Sequence, residues 1–124
     1  VLNRVKDKRY PNTICEVVHQ GPVRESWKTK GKDVADSERN YYPIRHRCQF
    51  SWYCDGKHDE PYQGRMWEES TELARYMLKH PNLRDITDGS THYHADYIPD
   101  PRWANPRERT VKIDTHIFYK KVRF

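Results

Sequence analysis

The chain has 124 residues, 35% of them hydrophobic and 33% charged, with 23 Lys and Arg against 18 Asp and Glu for a net charge of +5. That length supports one domain with a single modest core and excludes two cores, and no run approaches the about 20 apolar residues of a membrane span. The positive excess is spread along the chain, which suits a polyanionic partner, nucleic acid or an anionic cell wall, without choosing between them.

In chain order, Val1-Leu2-Asn3-Arg4-Val5 puts Val1, Leu2 and Val5 on one side of a helical turn with no capping residue before it. We read it as the last turns of a helix that begins upstream; it has no apolar signal-peptide core. Asn12-Thr13 is positioned to cap a short helix with Ile14, Val17 and Val18 on its buried side. Residues 21–47 are rich in charge, Gly and Pro, have no sustained period and read as a long loop. From Met66 to Lys79 the apolar residues Met66, Trp67, Leu73, Ala74, Met77 and Leu78 recur at helical spacing, and Pro81 stops the helix. Its Glu68, Glu69 and Glu72 suit the positive end of the helix dipole and solvation, so they are not assigned as a catalytic pair. Pro99, Pro101 and Pro106 make the next stretch irregular, with Trp103 held inside it. Val111, Ile113, Ile117 and Tyr119 then alternate with Lys112, Asp114, His116 and Lys120 in a strand pattern that puts His116 opposite the apolar residues. The fold class expected is α+β: a small single domain with several helices and a small antiparallel sheet, and no internal repeat.

Three segments carry more polar and aromatic chemistry than a core needs: Cys48-Gln49-Phe50-Ser51-Trp52-Tyr53-Cys54-Asp55-Gly56, Asp88-Gly89-Ser90-Thr91-His92-Tyr93-His94-Ala95-Asp96-Tyr97 and Thr115-His116-Ile117-Phe118-Tyr119. Polar groups set between aromatic rings suit a sugar, whose ring faces stack while its hydroxyls take hydrogen bonds. Nine Tyr and four Trp supply rings for both core and groove. The three cysteines, Cys15, Cys48 and Cys54, are too few for a disulfide framework, and the five residues between Cys48 and Cys54 are not zinc-knuckle spacing. A bonded pair or two buried thiols fits better than a metal site.

These residues resemble the cell-wall hydrolases related to the spore-cortex-lytic enzyme SleB. The resemblance runs through Val-Leu-Asn-Arg-Val at 1–5, Tyr-Pro-Asn-Thr-Ile-Cys-Glu-Val-Val at 10–18, Cys-Gln-Phe-Ser-Trp-Tyr-Cys-Asp-Gly at 48–56, Asp-Gly-Ser-Thr-His-Tyr-His-Ala at 88–95, Pro99 with Trp103, and His-Ile-Phe-Tyr at 116–119. It covers nearly the whole chain apart from residues 23–43. It implies a lysozyme-like transglycosylase fold across residues 1–124 and cleavage of peptidoglycan glycan strands between muramic acid and glucosamine, foremost as a lytic transglycosylase. It further implies a monomer without cofactor, acting at a bacterial cell wall or spore cortex, or phage-encoded and delivered to a host wall. The family's catalytic Glu precedes the Val-Leu-Asn-Arg-Val block, so the general acid is expected upstream of Val1, and 1–124 is expected to be an inactive fragment lacking its N-terminal helix. The carboxylates of the matching blocks, Glu16, Asp55, Asp88 and Asp96, do not occupy that place.

The substrate-lining candidates are Gln49, Ser51 and Tyr93 as hydrogen-bonding groups, Trp52 and Trp103 as stacking faces, and His94 and His116 as groups that orient the substrate. Two other readings stay open: a non-catalytic glycan-binding module, and a metal-dependent hydrolase using His92, His94 and His116. No nucleic-acid motif is present and no single element gathers the Lys and Arg, so nucleic acid is not an expected partner.

Overall fold

The computed structural model describes residues 1–122, which divide into two units, Val1–Glu60 and Pro61–Phe124, the second described to residue 122.

In the first unit the N-terminal residues form helix α1 (Leu2–Lys6), which Val1 begins without a side-chain cap. Five residues cannot hold a helix by themselves. Arg4 supplies the anchor: its side chain is buried, Nη1 donates to Gln20 Oε1 at 3.0 Å, and the guanidinium lies 4.7 Å from the centre of the Tyr10 ring. The buried residue of α1 is therefore Arg4 rather than the apolar trio, with Val1 46% exposed, because a guanidinium that finds an amide and an aromatic face takes its long stem inside. Helix α2 (Ile14–Val18) starts where Thr13 predicts: Thr13 Oγ1 accepts the Glu16 N–H at 3.2 Å and donates to Glu16 Oε1 at 2.8 Å. Val17 is fully buried and Val18 half-buried, but Ile14 turns out to solvent.

Residues 21–47 are more ordered than their composition suggests. Strands β1 (Val23–Glu25) and β2 (Tyr41–Pro43) pair antiparallel, with Val23 opposite Pro43 and Glu25 opposite Tyr41. Three-residue strands are too short to show a period. The intervening loop is organised by Arg39, whose Nη1 donates to Glu25 Oε2 and to the Thr29 carbonyl, both at 3.1 Å, while Nη2 reaches the carbonyls of Lys32 and Val34. One guanidinium thus satisfies backbone groups that would otherwise need regular structure. The unit continues through a 3-10 helix at Ser51–Cys54 and a Cys48–Cys54 disulfide, so the pairing left open by the sequence is a bonded one.

The second unit opens with α3 (Arg65–Lys79), within a residue of its sequence-derived start. Its backbone ends where the His80 N–H and Nδ1 both donate to the Tyr76 carbonyl, just before Pro81. None of its residues is buried. Three strands follow, β3 (His92–Ala95), β4 (Arg109–Ile113) and β5 (His116–Tyr119), in the antiparallel order β3-β5-β4. The alternation from Val111 to Tyr119 is thus a hairpin rather than one strand, turned at Asp114-Thr115 with Asp114 at φ 51°. Counting back from this two-residue turn, odd-numbered residues of β4 meet even-numbered ones of β5 as far as Val111, beyond which the register shifts and Arg109 stands opposite Tyr119. Val111 lies opposite Phe118 and Ile113 opposite His116, so they do not share the face of Ile117 and Tyr119.

Apolar burial is sparse: among the described residues Val17 and Cys54 in the first unit and Tyr119 in the second are the buried hydrophobic side chains. No described helix is long and apolar enough to cross a membrane.

Candidate functional site

The β3–β5 register sorts the candidates of the second unit by face. His92 stands opposite Tyr119 and His94 opposite Ile117, while Tyr93 stands opposite Phe118 and Ala95 opposite His116. Directly opposed residues share a face and neighbours along a strand do not, so His92, His94 and Tyr119 line one side and Tyr93, Phe118 and His116 the other.

On the first side His94 is 5% exposed. Its Nδ1 lies 2.9 Å from the Ala95 carbonyl, which can only accept, so Nδ1 carries the proton. In the neutral imidazole Nε2 is then the acceptor, and the Tyr119 hydroxyl donates to it at 2.9 Å. The two rings stack at 5.4 Å, and Trp103 stands perpendicular to Tyr119 at 5.3 Å and edge-on to His94 at 5.7 Å. His92 closes the group 5.0 Å from Trp103. Asp100 Oδ1 lies 3.8 Å from His94 Nε2 on a largely exposed side chain. The Trp103 segment, irregular because of its prolines, is tied to the chain after β5 by Lys121. Its Nζ donates to the Trp103 carbonyl at 2.8 Å and pairs with Glu108 Oε1, while Glu108 Oε2 accepts the Val122 N–H at 2.8 Å. The Lys121 hydrogen bond first, and the Val122 N–H second, hold the Glu108 carboxyl below its ordinary value, against some desolvation.

The approach to β3 is set by Asp85. Its Oδ1 accepts the Thr87 N–H at 2.8 Å and the Thr87 hydroxyl at 2.6 Å, and Oδ2 accepts the Gly89 N–H at 2.8 Å. Asp88 and Gly89 both take positive φ, at 57° and 80°. Asp tolerates that conformation through local hydrogen bonding and Gly through lacking a Cβ, which explains the Asp-Gly pair ahead of the histidines.

On the opposite side Tyr93 is 49% exposed, with His116 edge-on at 5.6 Å and Phe118 at 5.8 Å. In the first unit Gln49, Ser51 and Trp52 are all exposed, Trp52 by 52%, on the loop that the Cys48–Cys54 bond closes. The structure therefore brings the sequence candidates together in three small groups: His94 with Trp103, Tyr93 with His116, and Gln49, Ser51 and Trp52. Tyr119, Glu108 and Lys121 were not among the candidates. The alternation places Tyr119 with the apolar row of its strand; a phenol in such a row still needs a hydroxyl partner, which is the available signal.

The same faces dismantle the metal triad, since His116 lies across the sheet from His92 and His94 and both His94 ring nitrogens are occupied by Ala95 and Tyr119. Among the described residues no three His, Cys, Asp or Glu side chains are grouped to hold an ion.

None of the 18 Asp and Glu residues is buried. The half-buried ones are Asp7, Glu25, Asp55 and Glu108, and three of them face cations: Asp7 meets Arg9 at 2.7 Å, Glu25 meets Arg39 at 3.1 Å, and Glu108 meets Lys121. Hydrogen bonds from the Arg9 side chain and backbone draw Asp7 down to about 2. A general acid that must stay protonated near neutrality needs the reverse, a partly apolar surround without a cation.

No curated protein and no solved structure matches the chain. The family model described as Cell Wall Hydrolase matches residues 1–119, nearly the whole chain, and the protein belongs to that family of cell wall hydrolases.

Proposed function

We propose that this chain is the substrate-lining part of a SleB-type lytic transglycosylase that cleaves peptidoglycan glycan strands between muramic acid and glucosamine. The family match over residues 1–119 carries the reading. The exposed Trp52, with Gln49 and Ser51 beside it, and the exposed Tyr93–His116 pair support it, because rings left in water beside amide, hydroxyl and imidazole groups suit a pyranose.

Cleavage begins when a carboxylic acid protonates the glycosidic oxygen and positive charge develops on the muramic ring as an oxocarbenium-like transition state. In the transglycosylase route the 6-hydroxyl of the same muramic residue attacks C1, the carboxylate takes that proton back, and a 1,6-anhydro end forms. Lysozyme-like geometry around the bond, and an acid supplied from outside residues 1–124, belong to this proposal; every described carboxylate except the half-buried Asp55, whose Oδ1 accepts the Lys57 N–H at 2.9 Å, is exposed or paired with a cation, which supports the second. Within the chain, His94 works by fixing Tyr119 and Trp103 rather than by moving a proton, since both its nitrogens are engaged.

The test is mass spectrometry of the soluble products released from purified sacculi by this chain and by the full-length gene product, side by side. Anhydro-muropeptides from the longer protein alone are the expected result. Reducing ends would replace transglycosylation with hydrolysis, turnover by residues 1–124 would overturn the external acid, and no glycan cleavage by either would leave a glycan-binding module.

A further inference from the structure

We propose that the Cys48–Cys54 disulfide is a positioning device for recognition, holding Trp52 in place as a preformed platform for one sugar ring of the glycan. The proposal rests on the reading of Trp52 as a sugar-facing ring and adds what keeps it there.

The loop between the two cysteines has a fixed base and an exposed tip. At the base Cys54 is buried and its carbonyl accepts the His46 N–H at 3.1 Å, while the Gln49 N–H donates to the Gln20 carbonyl at 3.0 Å. Gly21, at φ 151°, lets Cys48 approach so closely that a Cβ there would stand 3.0 Å from the Cys48 Cα. Tyr53 is held by stacking on His19 at 4.4 Å. At the tip Gln49, Ser51 and Trp52 face solvent.

The first unit has few apolar groups inside, yet Trp52, whose ring tilts against Phe50 of the same loop at 6.0 Å, stays half in water. A free loop would let that indole seek further apolar contact. A loop closed across a sequence separation of 6 and pinned at Gln49, Tyr53 and Cys54 restricts it. An aromatic plane that is already ordered loses less freedom when a pyranose stacks on it, and the amide of Gln49 and hydroxyl of Ser51 stand on the same loop to meet the sugar's hydroxyl or N-acetyl groups.

The experiment uses the full chain with the exposed thiol replaced, Cys15→Ser, as parent, so that thiol exchange cannot reshuffle the pair. Binding of a β-1,4-linked N-acetylglucosamine tetramer is measured by calorimetry, with far-UV circular dichroism as the readout of fold. Trp52→Ala with the disulfide intact is expected to weaken binding by at least about tenfold, the scale of a lost stacking face. Cys48→Ser with Cys54→Ser is expected to weaken it by about tenfold, the scale of re-ordering a released side chain, while the spectrum stays that of the parent.

Parent-like binding by a folded double variant overturns the positioning role; if Trp52→Ala has lost binding, the sugar-facing reading survives. Parent-like binding by Trp52→Ala overturns that reading, and a parent that does not bind the tetramer overturns the platform with it. If the double variant does not fold, the parent is measured before reduction, after treatment with a phosphine reductant and after reoxidation. Weakened binding with a native spectrum, restored on reoxidation, supports the proposal. Loss of the native spectrum on reduction overturns it, because the bond then holds the unit rather than the platform.

Discussion

Glu108 is a residue of the second unit whose carboxyl is drawn down by its hydrogen-bond partners. Its two oxygens are committed, one to Lys121 and one to the Val122 N–H, and Lys121 in turn holds the Trp103 carbonyl beside His94 and Tyr119. Because its folded carboxyl sits below its ordinary value of 4.5, the contribution is fully present above that value and is lost as pH falls through the lower folded one. Glu108→Gln is therefore expected to lower the melting temperature at pH 7 and to flatten its fall on acidification, measured by circular dichroism from about pH 6 to about pH 3. A parent and variant that fall in parallel would show that Glu108 is not the titrating group. Little of this was legible in the sequence. His94 and Trp103 stand out in sequence because imidazole and indole are chemically conspicuous, whereas Tyr119, Glu108 and Lys121 gain their roles only from the register and from where the chain runs after β5.

At the level of elements, legibility followed length. Helix α3 runs for 15 residues and shows its period and its proline stop, so its extent was readable to within a residue. Strands β1 and β2 have three residues each, and the loop between them is held by Arg39, which no periodicity reports. The β4–β5 hairpin reads as one strand in sequence because Asp114-Thr115 lacks the Gly that usually marks such a turn, and the turn puts Val111 and Ile113 on the face of His116 and Phe118. Asp114 at φ 51° is the strained point of that hairpin. Asp114→Val, a β-branched residue forced into the left-handed region, is expected to cost about 1–3 kcal/mol in chemical denaturation, and Asp114→Gly to cost nothing or stabilise slightly. Equal effects of the two would mean that the turn relaxes to a different conformation. The Cys48–Cys54 bond works on the same scale: closing so short a loop removes about 2 kcal/mol of unfolded-chain entropy in the chain-entropy account.

For the whole molecule, composition foretold the small core: 35% hydrophobic residues leave Val17, Cys54 and Tyr119 as the buried apolar side chains among the described residues. The charged remainder carries the net +5, and its basic groups are spread along the chain rather than gathered in one block of sequence. Dispersed charge attracts a polyanionic wall over distances set by screening, whereas sugar stacking acts at contact and is insensitive to salt. The two contributions separate in one titration. Co-sedimentation of the chain with purified sacculi is expected to fall severalfold as salt rises from about 0.1 M to about 1 M and the Debye length shortens from about 10 Å to about 3 Å. It is expected to level off at a residual bound fraction that Trp52→Ala removes. Binding that vanishes at high salt in parent and variant alike would assign wall attachment to charge alone. Binding unchanged across the range would assign it to contacts with the glycan, leaving the charge to solubility.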